Sequence, residues 1–205
     1  MNNDGRSDQL DLTGSVEQNI SLSQESQTHR QEISAGLQTL INEVATELAT
    51  QACCIYVLNQ KKQTLTPLVS WSMPNGATQF ASQSVGEGVV GLAAAAGLHD
   101  GPQGSTPNPV RVDDLKTDER FETTGLDHAH NSFLAQPLTA PGSGRVLGVL
   151  LVADKVDAAV FSAEDEQQLI DFASRAELTL ALQNLELSQE KQQWNAGLAI
   201  VPYKL

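Results

Sequence analysis

The stretch that most constrains the fold is an apolar run in the C-terminal half of the chain. Residues Val146 to Ala153 carry no charge and are rich in valine and leucine, with Gly144-Arg145 before them and Asp154-Lys155 after them. A short apolar run between turn-forming and charged residues is typical of a strand buried on both faces. The sequence therefore predicts that this stretch is a central strand of a sheet.

The residues that follow predict a helix. Ser162 stands before the acidic residues 164–166, so a hydroxyl N-cap precedes a first turn in which free backbone N–H groups and the helix dipole favour negative charge. Apolar residues then recur at helical spacing from Ala163 to about Trp194. At a rise of about 1.5 Å per residue such a helix is about 45 Å long, longer than the roughly 30 Å of a small domain. We therefore expect its last turns to contact a second copy of the chain or another protein.

The same region resembles the signature of a known domain family. Asp154-Lys155, Phe161 and Asp165-Glu166 are spaced like the Asn-Lys, Phe and Asp-Glu residues of GAF domains, most closely those of the cyclic-nucleotide-binding type. The resemblance implies an ion pair between Lys155 and Asp165 beneath a ligand pocket. Asp154 stands where the family has Asn, and it adds a negative charge. The resemblance covers roughly residues 32–189.

Other segments are also similar to GAF domains. Residues 86–91 have a Gly-x-Gly-x-x-Gly pattern and resemble the segment that opens a small helix beside the GAF pocket. Glycines suit that place because they allow close helix packing or backbone angles that a Cβ would block. Residues 116–121 resemble the Asp-x-Arg-Phe turn of the family, and residues 132–138 resemble its Ser-x-Leu-x-x-Pro-Leu strand. Residues 98–109 are rich in Pro and Gly and are predicted to be a loop, either a solvated insertion or a lid or partner contact.

These features predict an α+β fold. A helix of about twenty residues is predicted from Arg30, because apolar side chains recur there at steps of three and four. The resemblance implies a GAF-like central antiparallel sheet of six strands. It places the N- and C-terminal helices on one face, and short helices and loops over a pocket on the other. The predicted organisation is a flexible leader over residues 1–28, a GAF-like domain over residues 29–190 and a C-terminal tail over residues 191–205.

Charge and composition restrict the partners. Twelve Lys and Arg against 25 Asp and Glu give a net charge of −13, and the basic residues do not cluster. Nucleic acid and an anionic membrane surface are therefore not expected as partners. No apolar run reaches the roughly 20 residues of a membrane span, and the polar N-terminus has no apolar export segment, so a cytoplasmic location is predicted. Cys53 and Cys54 are adjacent on a predicted strand and are interpreted as buried thiols that face opposite sides.

The resemblance implies a ligand pocket on one face of the sheet, covered by residues 86–97 and 113–134. Arg120 and the helix N-terminus near Gly88 are candidates to hold a phosphate or carboxylate, while the alternative is that Arg120 only ties down its own loop. Two histidines stand two residues apart, which is poor metal geometry in an extended segment, and no metal site is predicted. The candidate ligand-binding residues are Gly88, Asp113, Asp114, Arg120, Phe121, His128, His130 and Ser132.

The resemblance also bears on cofactors and catalysis. Bilin-binding GAF domains attach pigment to a cysteine beside a histidine, and residues 127–131 contain no cysteine, so a covalent bilin is not expected. Haem bound through His128 or His130, as in some sensor GAF domains, stays open. GAF-type methionine sulfoxide reductases need cysteines near the pocket loops, whereas Cys53 and Cys54 lie on the first predicted strand. The chain also lacks the Gly-x-Ser-x-Gly, His-Glu-x-x-His and P-loop motifs, and it is not predicted to be an enzyme.

Two hypotheses for function follow. In the first, the chain is a non-catalytic regulatory domain of signal transduction that binds a small molecule, with a cyclic nucleotide as the ligand that the resemblance suggests, and that signals through its terminal helices. In the second, the pocket is filled by its own side chains and the fold serves dimerisation or docking to another protein. An open cavity lined by Arg120, His130 and Ser132 favours the first hypothesis, and a cavity plugged by Phe121, Phe133 or the loop over residues 98–109 favours the second.

Overall fold

The structure, a computed structural model, describes residues 31–74, 78–99, 107–121 and 130–198, with side chains described as far as Leu182 in the last helix. Three helices and six strands lie within these residues. In chain order they are α1 over residues 31–47, β1 (Thr50–Asn59), β2 (Thr64–Ser72), β3 (Gln83–Ser84), α2 (Gly88–His99), β4 (Val110–Val112), β5 (Phe133–Thr139), β6 (Val146–Lys155) and α3 (Ala163–Leu198).

The strands form one antiparallel sheet in the order β3-β2-β1-β6-β5-β4. The apolar run from Val146 to Ala153 is buried along its whole length and lies between β1 and β5, so the predicted central strand is confirmed. The strand continues two residues further, because Lys155 pairs with Thr50 at the start of β1. The first helix ends at residue 47, a little short of the predicted length of about twenty residues from Arg30. Ala49, with a φ of 48°, then turns the chain into β1.

The first face of the sheet is covered by α1 and α3. Both helices are amphipathic, and their apolar stripes pack on strand residues such as Ile55, Leu134 and Leu150. This burial holds the two terminal helices side by side on the sheet, as predicted. The stripe residues that pack there are Leu37, Leu40, Ile41, Val44 and Leu48 from α1, and Leu169, Ala173, Ala176 and Leu180 from α3.

The second face is covered by α2. This short helix is apolar throughout, and its buried residues Val89, Val90, Ala93 and Ala94 pack on side chains of β1, β5 and β6. Close approach requires glycine at Gly91, where a Cβ would lie 2.1 Å from the Ser84 carbonyl oxygen. The glycine pattern therefore opens a helix packed against a strand, as predicted, and does not form a nucleotide loop.

The architecture is α+β, as predicted, with small differences at the ends of elements. α2 continues to His99, into the predicted loop over residues 98–109, and residues 100–106 lie outside the described part of the chain. α3 continues to Leu198, so the first residues of the predicted tail are helical. The predicted leader over residues 1–28 also lies outside the described residues. Among the described helices, none combines the length and apolarity that crossing a bilayer requires.

Candidate functional site

A small, partly open cavity lies between α2 and the sheet. Its volume is about 30 Å³, enough for one or two water molecules. Pockets for drug-sized ligands are roughly ten times larger or more. Most of the wall is apolar or aromatic, and Thr78, Gln83 and His130 bring polar groups to it. The lining residues are Tyr56, Thr78, Phe80, Gln83, Val89, Val90, Leu115, His130, Phe133, Leu151 and Ala153.

A chain of hydrogen bonds passes through the wall of this cavity. His130 is 5% exposed, its Nδ1 lies 2.9 Å from Asp154 Oδ2, and its Nε2 lies 2.6 Å from Thr78 Oγ1. Because a carboxylate only accepts hydrogen bonds, Nδ1 carries the proton and donates to Asp154. In the neutral ring Nε2 is then an acceptor, and the Thr78 hydroxyl donates to it. His130 thus connects the end of β6 to the segment before β3.

Asp154 fixes the segment that carries His130. Its Oδ1 accepts hydrogen bonds from the backbone N–H of Asn131 (3.0 Å) and of Ser132 (2.7 Å), and from the Ser132 hydroxyl (3.1 Å). Burial raises the pKa of this carboxyl, but the hydrogen bonds from His130, Ser132 and Asn131 outweigh burial and hold the pKa below its usual range. The φ of Asp154 is 43°, a left-handed conformation that Asn and Asp adopt more readily than other residues with a Cβ. Asp154 is therefore an ionised carboxylate beside the cavity.

The next residue, Lys155, joins the sheet to α3. Its Nζ lies 2.7 Å from Asp165 Oδ1, which is the ion pair that the resemblance implies. Asp165 Oδ2 also accepts from the Ser162 N–H (2.7 Å) and the Ser162 hydroxyl (2.9 Å). In return, the Asp165 N–H donates to Ser162 Oγ at 3.2 Å, so the helix begins with a reciprocal capping box. One side chain of the first turn thus caps α3 and anchors it to β6.

An open polar groove lies apart from the cavity, at the outer end of β4. Arg120 belongs to this groove, where Asp118 holds it through contacts of 2.9 Å and 2.6 Å and where it donates to the Arg111 carbonyl oxygen at 2.6 Å. The side-chain hydrogen bond from Arg120 lowers the pKa of Asp118. Arg120 therefore ties down its own turn. The groove residues are Arg111, Asp113, Asp114, Thr117, Asp118, Arg120 and Glu166.

The structure divides the predicted ligand-binding residues between several places. Of these residues, His130 lines the cavity, while Ser132 lies behind it and bonds to Asp154. Gly88 is the first residue of α2, with a φ of 63°, and Phe121 packs in the core beneath α2. Asp113, Asp114 and Arg120 line the separate groove, and His128 lies outside the described residues.

Sequence reasoning missed three polar residues of the cavity region. Thr78 and Gln83 carry no motif, and Thr78 lies 52 positions before its partner His130, so no local pattern could have found them. Asp154 was visible as the departure from the Asn of the family signature. The sequence shows the added negative charge at that position, but its histidine partner is seen only in the fold.

The two cysteines lie on β1, apart from the cavity lining. They face opposite sides of the sheet, as predicted, because Cys53 packs beneath the terminal helices and Cys54 packs on the face of α2. Burial raises the pKa of the Cys53 thiol to about 12 and raises that of Cys54 further. Neither provides the thiolate that redox chemistry needs. Within the described residues, no group of three or more His, Cys, Asp or Glu side chains is arranged to hold a metal ion.

Comparisons with known proteins agree with this architecture. A family model described as GAF domain matches residues 31–181. Comparison with curated proteins gives no match. Among solved structures, the chain is similar to the GAF domain of an Acinetobacter phosphoenolpyruvate-protein phosphotransferase, with 23% identity and a TM-score of 0.60 over 80% of this chain and 94% of that one.

Two further solved structures illustrate the range of this fold. A free methionine-R-sulfoxide reductase of Neisseria meningitidis, in complex with its substrate, is 19% identical over 80% of this chain and 89% of that one, with a TM-score of 0.57. Residues 122 to 287 of a methyl-accepting chemotaxis protein are 14% identical over 78% of this chain and 96% of that one, with a TM-score of 0.59. At these identities the likeness shows the fold alone. GAF domains are generally regulatory, and the reductase shows that some GAF-fold proteins are enzymes. The chain itself, by its fold and by the match over residues 31–181, belongs to the GAF domain family.

Proposed function

We propose that this GAF domain is a non-catalytic sensory module of cytoplasmic signal transduction. It binds a small molecule in the cavity beneath α2 and transmits the bound state through α3. The family to which it belongs is a sensory and regulatory one, found in signalling proteins. The observation that carries the proposal is the buried hydrogen-bond chain from Asp154 through His130 to Thr78 at the cavity wall.

The chemistry of the cavity wall supports a binding role over a purely structural one. Charged and polar side chains are costly to bury, and a core built only for packing is well served by apolar residues. Here the buried imidazole of His130 lines the cavity, and the ionised carboxylate that binds it, Asp154, lies behind it. Gln83 adds a buried oxygen that has no hydrogen-bond partner within the described residues. Buried polar groups that converge on a cavity are typical of a ligand site.

The size and charge of the cavity favour a ligand smaller than a nucleotide. A volume of about 30 Å³ is small beside the roughly 300 Å³ or more of pockets that hold drug-sized molecules. Arg120, the cation predicted to hold a phosphate, is held by Asp118 in the separate groove. The ligand suggested by the family signature therefore finds neither space nor a charge partner in this conformation.

Two adjacent residues connect the cavity with α3. Asp154 holds the His130 segment, and Lys155 holds the first turn of α3 through Asp165. A ligand that moves His130 changes the position of Asp154, and Lys155 is bonded to it directly in the chain. A ligand that binds more tightly to one of two arrangements of the end of β6 couples its binding to the packing of α3.

Thermal unfolding of the full chain with a panel of small metabolites tests the proposal. A ligand present at about a hundred times its Kd stabilises the fold by about 2.7 kcal/mol, which raises the Tm of a chain of this size by roughly 5–10 °C. We expect such a rise with at least one small compound, and none with cyclic AMP or cyclic GMP at millimolar concentration. Ala153→Val should abolish the rise, because the added methyl groups fill the cavity.

Ala52→Val is the matched control for this experiment. Ala52 pairs with Ala153 in the neighbouring strand and is equally buried on the same face, but it does not line the cavity. Both variants should lose roughly 1–3 kcal/mol of stability through overpacking, and only Ala153→Val should lose the ligand response. A rise in Tm that survives Ala153→Val would place the ligand elsewhere and refute the proposal.

The second candidate function, assembly through the helices, is favoured by an exposed apolar pair on α3. Leu178 and Leu182 lie one turn apart with exposures of 59% and 51%, away from the stripe that packs on the sheet. The helix that carries them is roughly 54 Å long at its 36 residues. We propose that these leucines pack against the α3 helix of a second copy in a homodimer.

Analytical ultracentrifugation tests this assembly. We expect the wild-type chain to sediment as a dimer and the variant Leu178→Glu/Leu182→Glu as a folded monomer, because two charges would be buried at the interface. Val156→Glu/Val160→Glu is the matched control, since these valines are similarly exposed, at 54% and 56%, on the loop before α3. A wild-type monomer, or a leucine variant that stays dimeric, would exclude the interface.

A further inference from the structure

The polar atoms at the cavity indicate which chemical class of ligand it takes, an inference that rests on the proposed function. Gln83 Oε1 is buried and has no hydrogen-bond partner among the described residues. His130 Nε2 is a second acceptor, because Nδ1 of the same ring donates to Asp154. His130 Nε2 already accepts from the Thr78 hydroxyl, whereas Gln83 Oε1 is a buried acceptor without a donor, which is unfavourable. A ligand that brings hydrogen-bond donors is therefore favoured over one that brings acceptors.

The charge beside the cavity points in the same direction. The Asp154 side chain is 15% exposed, and the groups that bond to it are the His130 ring, backbone N–H groups and a hydroxyl. No Lys or Arg is among the described residues that line the cavity. Lys155, the next residue in the chain, is paired with Asp165. A carboxylate beside a cavity that no described Lys or Arg lines favours a cation there over an anion.

We propose that the cavity binds a small molecule that presents a primary ammonium group on a short apolar body. The ammonium group donates hydrogen bonds to His130 Nε2 and to Gln83 Oε1. The aromatic side chains of Tyr56, Phe80 and Phe133 contact the apolar body, and their ring faces also favour a nearby cation. The sequence analysis suggested a different site, in which Arg120 and the N-terminus of α2 hold an anion.

The Thr78 hydroxyl occupies the position of the ligand donor. It donates to His130 Nε2 at 2.6 Å, so this acceptor has a donor within the chain. An incoming ammonium group displaces the hydroxyl from His130 Nε2. Thr78 therefore competes with the ligand, and removal of its hydroxyl should tighten binding.

Nitrogen-15 NMR of the full chain tests this assignment with simple probes. Ethylammonium chloride, sodium acetate and sodium phosphate are titrated separately at matched ionic strength, and the Nε2 resonance of His130 and the Tm are followed. We expect ethylammonium to shift the resonance and raise the Tm, and acetate and phosphate to do neither. Thr78→Val should tighten ethylammonium binding about fivefold and Gln83→Leu should weaken it about fivefold, as for one hydrogen bond of ordinary strength.

Thr66→Val is the control, because Thr66 is exposed on β2 and should leave binding unchanged. If acetate or phosphate binds in place of ethylammonium, the ligand class is wrong while the proposed sensory function stands. If no probe shifts the His130 resonance and no compound in the metabolite panel raises the Tm, the sensory function fails as well. The wild-type titration decides between these outcomes even where a variant does not fold.

Discussion

At the scale of single residues, two neighbours at the end of β6 have separate tasks. Asp154 holds the segment with His130, and Lys155 holds the start of α3. Asp165, the ion-pair partner of Lys155, is buried. Burial raises the pKa of Asp165, but the hydrogen bonds from Lys155 and Ser162 outweigh burial and lower it. Its contribution to stability is therefore full above the unfolded pKa, which is about 3.9, and is lost as the pH falls through the folded value.

Asp165→Asn tests this contribution. Removing one charge of a largely buried pair leaves Lys155 without its partner, so we expect a loss of about 3 kcal/mol in the free energy of unfolding at pH 6. The difference from wild type should shrink as the pH falls below about 4, because protonation removes the same charge from the native protein. Urea unfolding across this pH range measures both effects.

Glu164→Gln is the control for this pH dependence. Glu164 is exposed in the same first turn of α3, so its loss should cost less than about 1 kcal/mol. A difference between wild type and Asp165→Asn that stays constant down to pH 2 would mean that the Asp165 charge does not carry the stabilisation.

At the scale of elements, α2 packs on the sheet through a close approach of Gly91 to β3. Gly91→Ala places a Cβ 2.1 Å from the Ser84 carbonyl oxygen, so the helix must move away from the strand. We expect a loss of roughly 1–3 kcal/mol by urea unfolding, as for other overpacked sites. Gly36→Ala is the matched control, because nothing lies within 4 Å of its Cβ and the residue is exposed in α1. That variant should gain about 0.5–1 kcal/mol from helix propensity, and a Gly91→Ala variant as stable as wild type would refute the packing of α2.

The elements that the sequence predicted well are those with local signals. β6 is an apolar run between charges, and α3 begins at a capping box that lies within four residues of sequence. β3 consists of only two residues, and it exists because Thr64 and Leu65 pair with it across the chain. A strand formed by such long-range pairing leaves no periodic pattern to recognise.

At the scale of the whole molecule, the fold was predictable and the composition of the site was not. The family signature fixed the architecture and the Lys155–Asp165 pair. The direction of the Arg120 side chain could not be predicted, because Asp118 turns it into the groove while the neighbouring Phe121 packs in the core. Thr78 and Gln83 reach the cavity only when β3 joins the sheet. Sites assembled from distant segments are therefore the part of the structure that a single sequence does not predict.

The central claim is that occupancy of the cavity changes α3 through Asp154 and Lys155. Hydrogen–deuterium exchange of the full chain, with and without the ligand that the thermal-unfolding panel identifies, tests it most directly. We predict slower exchange in residues 78–90 and 130–133 and also in the first turns of α3 over residues 163–170. In Lys155→Met the cavity segments should keep this protection, and α3 should lose it. Protection confined to the cavity segments in the wild-type chain, or an α3 response that survives Lys155→Met, would contradict the claim.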